Sequence, residues 1–223
     1  MLTTLELNPS NEAVRSIIWL HGLGANADDF APIVPQLNIK DPYQLRFVFP
    51  NAPLQPVTIN GGVVMPAWYD IYEVSVNARI DRDGIKRSQA AIIELIKQEE
   101  ARGIQSDHIM LAGFSQGAVI ALITGLQYDK PLAGIIGLSG YLPEAEINLK
   151  QISLANKTCP VFLAHGTADP IVPYPLGLEC CEQLLRANLP LSWHSYYMPH
   201  SVCIEEIQDL SKWLKNTFDK KII

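Results

Sequence analysis

The stretch Ile109-Met110-Leu111-Ala112-Gly113-Phe114-Ser115-Gln116-Gly117-Ala118-Val119-Ile120-Ala121-Leu122 carries more information than any other in this chain. Its first four residues are uniformly apolar, as a strand covered on both faces must be. From Ala118 to Leu126 a second apolar run has the length of a helix. Between the two, Gly113-Phe114-Ser115-Gln116-Gly117 fits G-x-S-x-G. Strand, sharp turn and helix are the context a nucleophile elbow needs: the serine is held in a strained conformation, and small neighbours let the backbones approach. Outside that context the pattern is only a glycine-rich turn with an incidental serine.

On either side of it, further short apolar runs read as strands: Ile17 to Leu20, Leu45 to Phe49, Gly134 to Leu138, Val161 to Ala164, and a last one from Ser192 to Met198. Ile85, Ile92, Leu95 and Ile96 recur at helical spacing before Gly103 ends the run. Ile204, Ile207, Leu210, Leu214 and Phe218 mark an amphipathic helix near the carboxyl end. Strand–helix alternation of this kind predicts an α/β fold, a mostly parallel sheet with helices on both faces. The 223 residues fit one domain over 1–223, with no repeat, low-complexity tract or linker. The segment from Pro50 to Trp68 is the exception, long, proline- and glycine-rich and without helical period, and it reads as a loop. Its content of Leu54, Val57, Ile59, Val63, Val64 and Met65 argues against disorder.

Composition narrows the function. The formal net charge is −6, and no basic cluster exceeds Lys220-Lys221, which excludes nucleic acid and a charge-held membrane surface as expected partners. No apolar run approaches the roughly 18 residues of a transmembrane helix. The amino terminus has no basic stretch followed by an apolar core, so no secretory signal is read there. Cys159, Cys180, Cys181 and Cys203 follow no disulfide or C-x-x-C spacing. Reduced thiols and a cytoplasmic location are the expectation.

A serine hydroxyl is a weak nucleophile until a base takes its proton and an acid orients that base. In folds that use this elbow the chain order is serine, acid, histidine. His165, His194 and His200 follow Ser115. His165 ends an apolar strand, and His194 alternates within a predicted strand, as a strand-face residue would. His200 falls between the last strand and the last helix, at the sheet edge where the elbow emerges. Asp169 comes just past the strand ending near His165, whereas Asp129 and Glu144 precede that strand and Glu179 sits in a predicted helix. The expected set is therefore Ser115, Asp169 and His200. An oxyanion hole needs backbone N–H groups aimed at the developing charge. The residue after the nucleophile, Gln116, supplies one; the glycine-rich turn His21-Gly22-Leu23-Gly24 after an early strand supplies Leu23 N–H as the other. His21 is read as shaping that turn.

Leu20-His21-Gly22-Leu23-Gly24, Pro66-Ala67-Trp68-Tyr69-Asp70, Gly113 to Gly117, His165-Gly166 through Asp169, and His200-Ser201 occur in an order and spacing that resembles the acyl-protein thioesterase/lysophospholipase family of small α/β-hydrolases, especially its bacterial carboxylesterase members. The resemblance spans nearly the whole chain. It implies the α/β-hydrolase fold and hydrolysis of carboxylic esters or thioesters through an acyl-enzyme, with no cofactor and no metal. It also implies Ser115 as nucleophile, Asp169 and His200 as its partners, and Leu23 with Gln116 as oxyanion donors. Dimers are common in families of this kind, which admits a homodimer. Pro199 stands before the histidine where many relatives carry glycine or methionine, and its fixed φ predicts a stiffer His200 loop.

Other readings are weaker. A cysteine nucleophile would need the elbow position, and a zinc site from His194, His200 and Cys203 lacks the spacing of known sites. An inert α/β-hydrolase that carries small apolar ligands would be expected to lack one of the three residues. The segment Leu54 to Tyr72 starts at the edge where elbow and oxyanion turn emerge, so Leu54, Val63, Val64, Met65 and Trp68 are expected to line an acyl pocket, with Trp68 divided equally between pocket wall and core.

Overall fold

Strand and helix alternate along the chain in the computed structural model, which describes residues 2–8, 12–39, 44–74 and 79–219. The pair Lys220-Lys221 lies outside the described residues. In chain order the elements are β1 (Thr4–Leu7), β2 (Arg15–Leu20), α1 (Ala27–Phe30), α2 (Ile33–Gln36), β3 (Leu45–Pro50), β4 (Leu54–Val57), β5 (Val63–Pro66), α3 (Arg82–Ala101), β6 (Ile109–Phe114), α4 (Gln116–Gln127), β7 (Gly134–Leu138), α5 (Ala145–Lys150), β8 (Val161–Gly166), α6 (Tyr174–Arg186), β9 (Leu191–Tyr196) and α7 (Ile204–Asp219).

Seven strands form the main sheet in the order β1-β3-β2-β6-β7-β8-β9. All neighbours are parallel except β1, which runs antiparallel to β3 at the edge. The period of two along a strand divides its side chains between two cores. From β2 and β6, Ile18, Leu20, Ile109 and Leu111 face one core, which also holds Ile92, Leu95 and Ile96 of α3 and much of α4. Ile17, Trp19, Met110 and Ala112 face the other, closed by Ile207, Leu210, Leu214 and Phe218 of α7. Each large buried side chain contributes about 1.5–3 kcal/mol relative to exposure. That burial fixes the central strands and so the positions of their carboxyl ends.

Three expectations need correction. The last strand ends at Tyr196, two residues early, because the Met198 N–H turns back to the Tyr196 carbonyl (2.9 Å). Ile204, placed on the apolar face of α7 by its period, is 66% exposed. The expected loop between Pro50 and Trp68 is in part a hairpin: β4 and β5 pair antiparallel, with Val57 opposite Val63. Its turn is a short 3-10 stretch, Thr58–Asn60, closed by Gly61 and Gly62 at φ +67° and +80°, a region glycine enters without steric cost. Pro56 and Pro66 inside the strands hid it, since proline argues against a strand except at an edge.

Candidate active site

The elbow comes first. Ser115 sits at φ +54°, ψ −119°, between the end of β6 and the first residue of α4. A non-glycine residue held in so sparsely populated a region costs about 1–3 kcal/mol and persists only where the surroundings enforce it. Here they do. The Ser115 N–H donates to the Leu138 carbonyl on β7 (2.8 Å). A Cβ on Gly113 would lie 2.3 Å from the Gly117 carbonyl, and one on Gly117 would lie 2.5 Å from the Leu20 and His21 carbonyls. Both glycines are therefore dictated by backbone contact, and the turn has one way to close.

Asp169 and His200 reach the serine from two other strand ends. Asp169 follows β8; its Oδ1 accepts from the N–H groups of Ile171 (2.8 Å) and Val172 (2.9 Å), which fixes the carboxylate. Its Oδ2 lies 2.6 Å from His200 Nδ1. A carboxylate only accepts, so Nδ1 carries the proton and Nε2 is left as acceptor for the Ser115 hydroxyl, 2.9 Å away. The His200 ring packs on Phe114 with centroids 4.7 Å apart. Its loop is braced from below, since the Ala168 N–H donates to the Met198 carbonyl (3.2 Å). His165, at the end of β8, donates from Nε2 to the Val172 carbonyl (2.8 Å) and stands 3.5 Å from Asp169 Oδ2. Burial pushes its pKa down, so it stays neutral and leaves the Asp169 charge to His200.

The two amides expected to bind the oxyanion lie at the elbow and at the turn after β2. Gln116 opens α4, so its N–H has no acceptor within the helix. In the turn after β2, Gly24 N–H donates to the Pro66 carbonyl (2.9 Å) and Ala25 N–H to the Gly22 carbonyl (3.2 Å). Leu23 N–H, beside them, has no backbone partner among the described residues.

What the sequence did not disclose is how these two amides are held together. Trp68 donates its indole N–H to the His21 carbonyl (2.8 Å) and its backbone N–H to the Gln116 side-chain oxygen (2.8 Å). The Gln116 amide nitrogen donates to the Tyr69 carbonyl (2.7 Å), and the Ser88 hydroxyl donates to the Trp68 carbonyl. His21 completes the brace: Nδ1–H to the Gly22 carbonyl (2.7 Å), Nε2 accepting from the Ala52 N–H (3.0 Å). Desolvation lowers its pKa, which keeps the ring neutral and this pattern intact. Neither the Gln116 side chain nor Ser88 carries a signal in a single sequence, because their partners are backbone atoms far along the chain.

The expected acyl-pocket residues divide. Met65 reaches the turn after β2, its sulfur 3.6 Å from where a Cβ on Gly24 would lie. Leu54, Val63 and Val64 are 70%, 57% and 62% exposed along the hairpin. Trp68 is 1% exposed and offers no wall to a ligand; it is core, and its indole N–H holds the turn after β2. His194 is a strand-face residue as read, stacked on Phe162 at 4.7 Å and bonded through Nε2 to the Ser192 hydroxyl (2.9 Å). Glu144, a competing acid in the sequence, pairs instead with Arg82. Beyond the histidine loop, Glu206 of α7 is fully buried, its carboxyl oxygens without a hydrogen-bond partner among the described residues. Desolvation pushes its pKa up to about 8.

A strained serine at a strand–helix turn, hydrogen-bonded through histidine to an aspartate at the same edge of a mostly parallel sheet, defines an α/β-hydrolase-fold serine hydrolase. The phospholipase/carboxylesterase family signature matches residues 7–218, and the chain belongs to that family. It is 42% identical over 191 residues to acyl-protein thioesterase 1 of Schizosaccharomyces pombe, covering 85% of this chain and 84% of that one. Against acyl-protein thioesterase 1 of Yarrowia lipolytica the identity is 38% over 206 residues, 90% of each chain. Among solved structures, acyl-protein thioesterase 2 of Zea mays superimposes with a TM-score of 0.87 at 28% identity, over 98% of this chain and 100% of that one. SOBER1 of Arabidopsis thaliana gives 0.85 at 31% identity, over 91% and 98%. The chain is a serine hydrolase acting on acyl esters or thioesters.

Proposed function

We propose that Ser115, His200 and Asp169 carry this hydrolysis, with the Leu23 and Gln116 amides as oxyanion donors. The continuous relay from Asp169 Oδ2 to Nδ1 (2.6 Å) and from Nε2 to Ser115 Oγ (2.9 Å) is the observation that supports the reading. His200 Nε2 takes the hydroxyl proton as Oγ bonds to the acyl carbon, and the carbonyl oxygen becomes an oxyanion facing the two amides. Collapse breaks the bond to the leaving oxygen or sulfur, which receives the proton from Nε2 and departs as alcohol or thiol. Water then repeats the sequence on the acyl-enzyme: His200 takes its proton, hydroxide adds, and the acid leaves as Ser115 regains its hydrogen.

Ester and thioester share every step, and the named relatives favour a thioester-linked acyl group on protein as one substrate. The four cysteines are free thiols, which suits the cytoplasm. No helix among the described residues is long and apolar enough to cross a membrane. One domain, 1–223, supplies every group the reaction uses, so the reading needs no second copy. A fluorophosphonate should add one adduct to the wild type and none to Ser115→Ala; an adduct that survives the substitution overturns the assignment.

A further inference from the structure

A groove of about 390 Å³ opens beside His200, between the α1–α2 segment and the start of α7. Phe30 and Ile33 contribute from one side, Val202 and Ile204 from the other, and Phe114 and His200 also line it. Asp29 is the one carboxylate among its described lining. It lies on a different set of elements from the hairpin, whose Met65 meets the oxyanion turn.

From this geometry we infer that the groove is a leaving-group subsite, shaped for an apolar alcohol or thiol that carries a positive charge. The inference rests on the catalytic reading above. With the carbonyl oxygen directed at the Leu23 and Gln116 amides, the acyl chain and the leaving group must depart in different directions. The leaving oxygen or sulfur has to come within hydrogen-bond reach of His200 Nε2, because that nitrogen returns the proton it took from Ser115. The leaving group therefore extends on the histidine side, into the space that His200 itself lines. This accounts for Ile204, a large apolar residue exposed on the first turn of α7, whereas Ile207, Leu210, Leu214 and Phe218 further along are buried. It also gives Asp29 a use beyond its hydrogen bond to the Asn26 N–H (2.7 Å). Its second oxygen takes no hydrogen bond among the described residues and can face a cation.

The test holds the acyl group constant. Methyl butyrate, 3,3-dimethylbutyl butyrate and butyrylcholine form the same butyryl-enzyme, so differences in kcat/KM arise in acylation, where the leaving group is still attached. The last two are isosteres that differ by one positive charge. The wild type should prefer butyrylcholine to its neutral isostere several-fold. Asp29→Asn, which keeps the acceptor for Asn26, should remove that preference. Ile204→Trp should lower both bulky esters relative to the methyl ester by about tenfold, the scale of discrimination that one methylene gives in an apolar pocket. Across methyl esters of increasing acyl length, the profile should keep its shape in Ile204→Trp. A profile that shifts makes the groove the acyl pocket and overturns the inference. A bulky-to-methyl ratio unchanged by Ile204→Trp overturns it as well, and equal rates on the two isosteres overturn the charge preference. If no ester is hydrolysed and Ser115 takes no fluorophosphonate, the catalytic reading itself has failed, which is a separate result.

Discussion

Two halves of one segment, residues 54–65 and 66–70, are built on opposite terms. The first is a two-stranded hairpin whose Leu54, Val63 and Val64 stand in solvent. In the second, Ala67, Trp68 and Tyr69 are buried, and every polar group of Trp68 has a partner: His21, Gln116 and Ser88. The half that is locked ties the elbow to the turn after β2 at a fixed separation. From the exposed half, Met65 reaches the turn after β2. Substitution is thus costly in the buried half and cheap on the exposed one.

Substitutions can test this division at several levels, and the largest effect belongs to the nucleophile. Ser115→Ala should remove about 10³-fold or more of kcat without loss of fold, and His200→Ala and Asp169→Asn should lower kcat far more than they change KM. Gln116→Ala tests the locked half. Removing one direct oxyanion donor costs about 10²–10³ in kcat. A brace that acts at one remove should cost roughly tenfold, with KM little changed. A fall in melting temperature with kcat intact would make the brace merely structural.

Val64→Asp tests the free half. It should depress kcat/KM several-fold for long-chain p-nitrophenyl esters and leave the acetate ester nearly untouched. An equal fall at every chain length would show the hairpin to be indifferent to the acyl group.

Away from both halves, Glu206→Gln should change stability according to pH. The folded protein holds the Glu206 proton up to about pH 8, while the unfolded chain loses it in the usual carboxylate range. Stability therefore falls as pH rises through that window and levels off above it. The glutamine variant does not titrate, so its melting temperature should exceed the wild type's by a growing margin from pH 5 to 8. A margin independent of pH would remove the buried carboxyl as the cause. Smallest of all, His194→Ala should leave kcat within a few-fold.

Much of this arrangement was legible in the residues. The central strands read clearly because they are apolar on both faces, and Ser115, Asp169 and His200 each follow one of the strands. β1 escaped notice, being four residues of half-buried edge. The hairpin was masked by its prolines. Trp68 could not be decided, since apolarity suits a pocket wall and a core equally; its burial and indole hydrogen bond decide it. The part played by the Gln116 side chain was not legible, because the elbow motif specifies a position in the turn and says nothing of long-range hydrogen bonds. Ile204 misled through its spacing: the helical period is sound, but the first turn of α7 borders the groove rather than the sheet.

The relay joins residues 115, 169 and 200, each delivered by the end of a different strand, with β7 lying between the first two strands in the sheet. Contacts so far apart in the chain form late, because the intervening loops must be closed before any reward is gathered. On the proposed assignment, no fragment ending before His200 contains both the base and the nucleophile, so a chain cut short there should not hydrolyse an acyl bond. Hydrolysis thus serves as a reporter of completed folding. In refolding, activity should return with the slowest phase rather than with the helical signal, which makes the enzyme its own gauge of the native state.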